Sequence, residues 1–246
     1  PPFSFNQGSP IFVNQDDYFS PAIQLPFVFC FYGNNYNQIV VGANGLISFD
    51  ISLANAFCEW NFSQSMPNIN GEPYRNSING PYHDLDPSVG GNVRYGVLGT
   101  YPCRTFVVNF DDVPHYDCNN LRTTFQIVLY ETTNIIEIYV LDKPVCNSWN
   151  SGNAVLGIQN SSGTIAHVPN NRNTSNWSTS NEAWQFIPSG GSSINSVQWF
   201  DSSGTYISSG DSIVVCPTDS TQYSATVTYN SCSGNLVVES DTININ

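Results

Sequence analysis

Positive charge is the scarcest ingredient of this chain. Its 246 residues hold six Lys and Arg against 19 Asp and Glu, a net charge of −13. Such a surface repels phosphate backbones and anionic lipid, so nucleic acid is excluded as a partner. Lys143 is the sole lysine, which leaves Schiff-base chemistry and lysine phosphate clamps almost nothing to build on. Charged residues of both signs make up only 10% of the chain, against ~25% in ordinary soluble domains. Asn, Ser, Thr and Gln supply the polarity instead, as in secreted β-proteins. No apolar run approaches the ~20 residues of a membrane span. No Cys-Xaa-Xaa-Cys pair is present, which argues against structural zinc. EF-hand loops and the Gly-Xaa-Ser-Xaa-Gly elbow of serine hydrolases are missing too. There is no signal peptide, and the opening Pro1-Pro2 reads as a mature product or an excised fragment.

What is present points to an all-β chain. Hydrophobic residues are 40% of the sequence and aromatics 13%, enough for a sizeable core. The clearest element is Leu121 to Asp142, where two β-rich runs flank Glu131-Thr132-Thr133-Asn134. This is a hairpin. Closing its turn between Glu131 and Asn134 places Cys118 opposite position 147, one residue from Cys146. A small bulge then brings the two sulfurs together, so a Cys118–Cys146 disulfide is expected. Further strands are expected at 24–31, 38–41, 46–49, 92–97, 105–111, 154–159 and 183–187, with a short helical turn near 52–57. Asn44-Gly45 is a type I′ hairpin signal. Together these predict a β-sandwich of two packed sheets over residues 1–188.

Residues 189–193 are small and flexible and read as a linker. Residues 194–246 form a second β module, with strands expected at 197–200, 212–216 and 222–229. Trp199, together with Cys216 and Cys232, the module's only cysteines, resembles a short immunoglobulin-like sandwich. A Cys216–Cys232 bridge would support so small a core. Cys30, Cys58 and Cys103 then remain, with one of them free or paired outside the chain. Seven cysteines in all favour an oxidising, extracellular compartment.

The run Gly80-Pro81-Tyr82-His83-Asp84-Leu85-Asp86 followed by Gly90-Gly91-Asn92-Val93-Arg94-Tyr95 is the most distinctive segment. With Pro26–Gly33, Gly42–Phe49 and Phe125–Glu131 it resembles the nidogen-type extracellular domain over about residues 20–188. The details are similar to secreted surface proteins of Bacteroidetes, in which such a domain precedes polycystic-kidney-disease (PKD)-like sandwich repeats. The resemblance implies a non-catalytic module of a larger surface adhesin, associated with gliding motility and type IX secretion. Its partners would be other subunits or domains of a surface assembly, or surface glycans.

Several constellations compete for a role. Asp84 and Asp86 share one face of an extended segment; with Asp111 and Asp112, and with Asp16, Asp17 or Asp117 as further donors, they are candidate calcium ligands. Read as a glycosidase pair, two carboxylates on one strand face lack the usual opposed arrangement. Trp149 and Trp177 sit in Asn- and Ser-rich loops and are candidate sugar-stacking residues; as a competing reading, Trp177 and Trp184 plug the sandwich. His83, His115 and His167 show no ligand spacing and read as hydrogen-bonding loop residues. Four Asn-Xaa-Ser/Thr sequons are present, and for a Bacteroidetes protein Ser212, Ser220 and Thr242 are candidate O-glycosylation sites, making the chain a glycoprotein.

Overall fold

The computed structural model describes residues 2–11, 15–71, 73–189, 194–230 and 236–245. The chain divides into two units, Pro1–Ile187 and Pro188–Asn246. Strands of the first unit are β1 (Ser9–Pro10), β2 (Ile23–Phe31), β3 (Asn34–Gly42), β4 (Leu46–Ser48), β5 (Ser77–Tyr82), β6 (Asn92–Leu98) and β7 (Thr105–His115). They continue with β8 (Cys118–Tyr130), β9 (Ile136–Lys143), β10 (Asn153–Gln159), β11 (Ala166–His167), β12 (Ser175–Asn176) and β13 (Thr179–Phe186). The second unit adds β14 (Ile194–Phe200), β15 (Tyr206–Ser209), β16 (Thr221–Asn230) and β17 (Leu236–Ile245). Two short 3-10 turns, Ile51–Leu53 and Asn150–Gly152, complete the described elements.

The first unit is a sandwich. One sheet runs β1-β6-β7-β8-β9-β13; the other runs β11-β10-β5-β4-β3-β2, with β12 also on β10. Every pairing is antiparallel. Phe29, Ile39, Val41, Ile47 and Ile78 of the second sheet meet Phe106, Phe110, Phe125, Ile127 and Ile138 of the first in one buried cluster. The second sheet is covered on its other face as well. Val40, Leu46, Tyr82 and Val155 point the opposite way and pack with Phe19, Cys58, Phe62 and Met66. Alternation along a strand therefore feeds two cores: Ile39 and Val41 enter one, Val40 the other. The long segment between β4 and β5 supplies Cys58, Phe62 and Met66 to that outer layer.

The hairpin has the expected register. Ile127 faces Ile138 and Leu129 faces Ile136; a shift between Thr124 and Phe125 then offsets the strands. That shift puts Thr124 opposite Asp142 and so carries Cys118 one position further from Cys146; the Cys118–Cys146 disulfide closes all the same, beyond the end of β9, its Cα atoms 5.9 Å apart. The loop at Asn44-Gly45 differs from the expected two-residue turn. Gly42 pairs with Leu46 and three residues connect them, with Gly45 at φ 99° where a left-handed residue is needed. A side chain at Gly45 would also press on the Pro81 carbonyl.

Among the described residues, the second unit is a single four-stranded antiparallel sheet, ordered β15-β14-β16-β17. Residues 212–216 are irregular rather than a strand. The expected Cys216–Cys232 bridge is corrected: Cys216 is a free, exposed thiol. That pairing assumed two facing sheets, whereas Cys216 lies in the irregular stretch between β15 and β16 with no facing sheet among the described residues. Cys232 lies outside the described residues, as does the predicted linker beyond Ser189. Trp199 is half-buried and donates its indole N–H to the Gly210 carbonyl at 2.9 Å. Cys58 and Cys103 are both free, and Cys30 is disulfide-bonded.

Candidate functional site

Five separate segments deliver acidic and aromatic side chains to one end of the sandwich: Asp16 and Asp17 before β2, Glu59 and Trp60 between β4 and β5, Asp84 and Asp86 after β5, Tyr116 in the β7–β8 turn, and Trp149 after β9. Asn44 ties the first three together. It is fully buried. Its amide donates to Asp17 Oδ1 and to the Cys58 carbonyl, both at 2.9 Å, and its Oδ1 accepts from the Leu85 N–H at 2.9 Å. Backbone contacts bind the rest: Asp86 N–H donates to the Pro114 carbonyl at 2.8 Å and Tyr116 N–H to the Asp84 carbonyl at 3.3 Å. The Cys118–Cys146 disulfide holds the start of β8 to the loop that carries Trp149.

Trp149 is the junction between acids and aromatics. Its indole N–H donates to Asp84 Oδ2 at 2.6 Å. Its ring centroid lies 5.2 Å from that of Trp60 and 4.8 Å from that of Tyr116. Trp60 and Trp149 are half-buried, and Tyr116 is exposed. Asp84 is buried at 5% exposure, and its Oδ1 has no hydrogen-bond partner. Asp86 Oδ1 accepts from the N–H of Ser88 at 2.9 Å and from its hydroxyl.

This negative charge is uncompensated. Burial first, then the charges of Asp17 and Asp86, push the Asp16 carboxyl up to about 7. Burial likewise raises Asp84 to about 7, with Asp17, Asp16 and Asp86 adding to the shift and the Trp149 N–H opposing it. Asp17 is raised by burial and by Glu59 and Asp86, against the Asn44 hydrogen bond. Among the described residues, no ion pair reaches any of these acids.

The four expected calcium ligands are not brought together. Asp84 and Asp86 belong to the cluster, whereas Asp112 pairs with Arg122 at 3.1 Å on β7 and β8, and Asp111 feels Asp112 and Arg94. The Phe110–Val113 bulge, with Asp112 at φ 55°, turns that pair onto the strand surface. Asp117 is exposed in the β7–β8 turn. Among the described residues, no three His, Cys, Asp or Glu side chains are placed to hold a metal ion.

The two candidate sugar-stacking tryptophans separate. Trp149 is at the face, but Trp177 is a core residue at 6% exposure. The Trp177 indole N–H donates to the Ala154 carbonyl at 3.0 Å, and its ring is flanked by Lys143 Nζ and Arg172 Cζ, each 4.6 Å from the centroid. Of the two readings of Trp177 the core plug is the one observed, because the pairing of β12 with β10 carries the indole into the cluster between the sheets. Ser212, Ser220 and Thr242 are all exposed in the second unit.

Two histidines meet just beneath the face. His83 Nδ1 lies 2.8 Å from the Pro81 carbonyl and must donate to it, which leaves Nε2 as an acceptor. His115 Nε2 lies 3.1 Å from that atom and 2.7 Å from Thr123 Oγ1. Burial lowers both imidazoles, His115 to about 3, so both are neutral at physiological pH. His167 is elsewhere, exposed and stacked on Tyr32.

Sequence reasoning found Asp84, Asp86 and Trp149, and Asp16 and Asp17 as companion acids, but missed Asn44, Glu59, Trp60 and Tyr116 as members. Asn44 carried a signal, yet its turn role accounted for it. Comparison with known proteins gives no match among curated proteins or solved structures. The profile of NIDO-related domains, which are typically extracellular, matches residues 3–199, most of the chain and all of the site, and the chain belongs to that NIDO-related family.

Proposed function

We propose that this chain is a non-catalytic recognition module of a secreted or cell-surface protein, working through the acidic–aromatic face. The observation that supports it best is the join at Trp149, where an indole bonded to a buried carboxylate stacks with Trp60 and Tyr116. Stacked aromatic faces beside carboxyl groups suit ligand binding. The Thr123–His115 contact is no nucleophile–base pair that a substrate could use. Both residues are buried, and His115 Nδ1 has no carboxylate to orient it. On the resemblance to Bacteroidetes surface proteins, the module belongs to a larger adhesin used in surface attachment or gliding and exported by the type IX route. The second unit then acts as a PKD-like spacer, and Ser212, Ser220 and Thr242 carry glycans.

A carbohydrate-binding role is the second reading. Trp60, Trp149 and Tyr116 favour it, since aromatic faces suit the C–H faces of sugar rings. One experiment addresses both. Beads coated with the protein should adhere to surfaces bearing extracellular proteins or glycans, and beads coated with Trp149→Ala should not. Glycosides, esters and peptides incubated with the protein should yield no product. Turnover abolished by Asp84→Asn would replace the recognition reading with a hydrolase.

A further inference from the structure

The acidic–aromatic face has a charge problem that the chain does not solve for itself. Asp16, Asp17, Glu59 and Asp86 supply the charges that act on Asp16, Asp17 and Asp84, and all of them are negative. Asp84 Oδ1 is buried with no donor. A buried acceptor of this kind is costly unless something donates to it.

The geometry narrows what that something is. A calcium ion gathers six to eight oxygens at about 2.3–2.6 Å around one point. Here no three acidic or histidine side chains converge on one point among the described residues. A neutral sugar would use the aromatics but would leave the charge uncompensated and more deeply buried. A cation that spreads its charge over a plane fits both features. Guanidinium carries five N–H donors in a rigid fork, pairs with carboxylates and stacks on indole and phenol rings. Trp149 offers such a ring directly beside Asp84, with Trp60 and Tyr116 4.8–5.2 Å away between centroids. Cation–π attraction and the carboxylate field then act at the same place.

We propose that this face binds an arginine side chain presented by a basic partner protein, with Trp149 as the stacking platform, the half-buried Asp16, Asp17 and Glu59 as the carboxylates within reach of the guanidinium, and the buried Asp84 and Asp86 adding their field behind it. This names the ligand chemistry of the recognition module and rests on that reading. The partner is a different protein, because a net charge of −13 opposes docking of a second copy.

The test is calorimetric titration of the 246-residue protein with a blocked peptide carrying two arginines. Its citrulline counterpart, which keeps the shape and loses the charge, is titrated in parallel with calcium chloride and a neutral oligosaccharide. The arginine peptide should bind saturably, and at least about ten-fold more tightly than the citrulline peptide. Binding should weaken between about 50 and 500 mM salt. It should be lost in Trp149→Ala and reduced in Asp86→Asn, while Trp149→Phe, which keeps a ring, should retain much of it; urea midpoints show that each variant is folded. Equal binding of the two peptides, no binding of the arginine peptide, or calcium binding that excludes it would overturn the proposal. Oligosaccharide binding without arginine binding would overturn it while leaving the recognition reading standing. Failure of the coated beads to adhere to any surface would remove the recognition reading itself.

Discussion

Replacing Asp84 by Asn should make the protein more stable, and only above a definite pH. In the folded chain this carboxyl is raised from 3.8 to about 7, chiefly by burial. The folded state therefore holds its proton more tightly than the unfolded state. Below the unfolded value both states are protonated and nothing is lost. As pH rises through 3.8 towards 7, the unfolded chain ionises first and the fold loses stability; above 7 the loss is complete. A shift of this size corresponds to about 4 kcal/mol. Asn keeps an oxygen for the Trp149 N–H, 2.6 Å away in the parent, and removes the charge. Urea unfolding of both proteins should show Asp84→Asn gaining about 2–4 kcal/mol at pH 8 and almost nothing near pH 4. His83 and His115 act in the opposite sense. Their lowered values mean that stability is lost as pH falls below 6.5, so the parent curve alone mixes two trends. The difference between parent and variant cancels the histidines. A gain of equal size at pH 4 and pH 8, or a less stable variant at pH 8, would refute the picture of an uncompensated acidic face.

Other outcomes follow from the packing. Gly80→Ala should destabilise by about 2 kcal/mol, because a Cβ there would overlap Phe125 Cε2 and lie 3.0 Å from the Gly45 carbonyl; a urea midpoint unchanged from the parent would contradict it. Removing the Cys118–Cys146 disulfide by a double Ser substitution frees a loop with a sequence separation of 28 and should lower stability by about 3 kcal/mol, read from the same unfolding curves. Lys143 is fully buried, and burial followed by Arg172 lowers its amine to about 7. Mass spectrometry should find it unacetylated in the native protein and acetylated once urea is added. Iodoacetamide should reach Cys103 and Cys216 in the native state but Cys58 only after unfolding, because that thiol is buried and raised by burial.

Local chemistry made the hairpin readable in advance. Its strands alternate, its turn is polar, and its cysteines flank its open end one position out of register, so hairpin and disulfide were both legible from residues close in sequence. The sandwich was readable for the same reason. The second layer under Phe62 and Met66 was not, because the segment between β4 and β5 has no period, and its apolar residues declare a partner only when the sheet is in place. The face was half readable. Asp84 and Asp86 stand out in a short motif, but their companions come from segments as far as 70 residues away, the nearer ones tied in by the side chain of Asn44. Composition likewise cannot tell Trp149 from Trp177. Both lie among Asn and Ser, and only β12 pairing with β10 takes one of them inside.

Four of the six cations of this chain are already engaged. Lys143 and Arg172 flank the buried ring of Trp177, Arg104 is paired with Glu131 and Arg122 with Asp112. Solvent therefore meets a shell in which anions go largely unanswered. Copies of such a shell repel one another over roughly a Debye length, about 8 Å in physiological salt. Molecules anchored side by side would stand apart instead of coalescing, and raising the salt would let the layer condense.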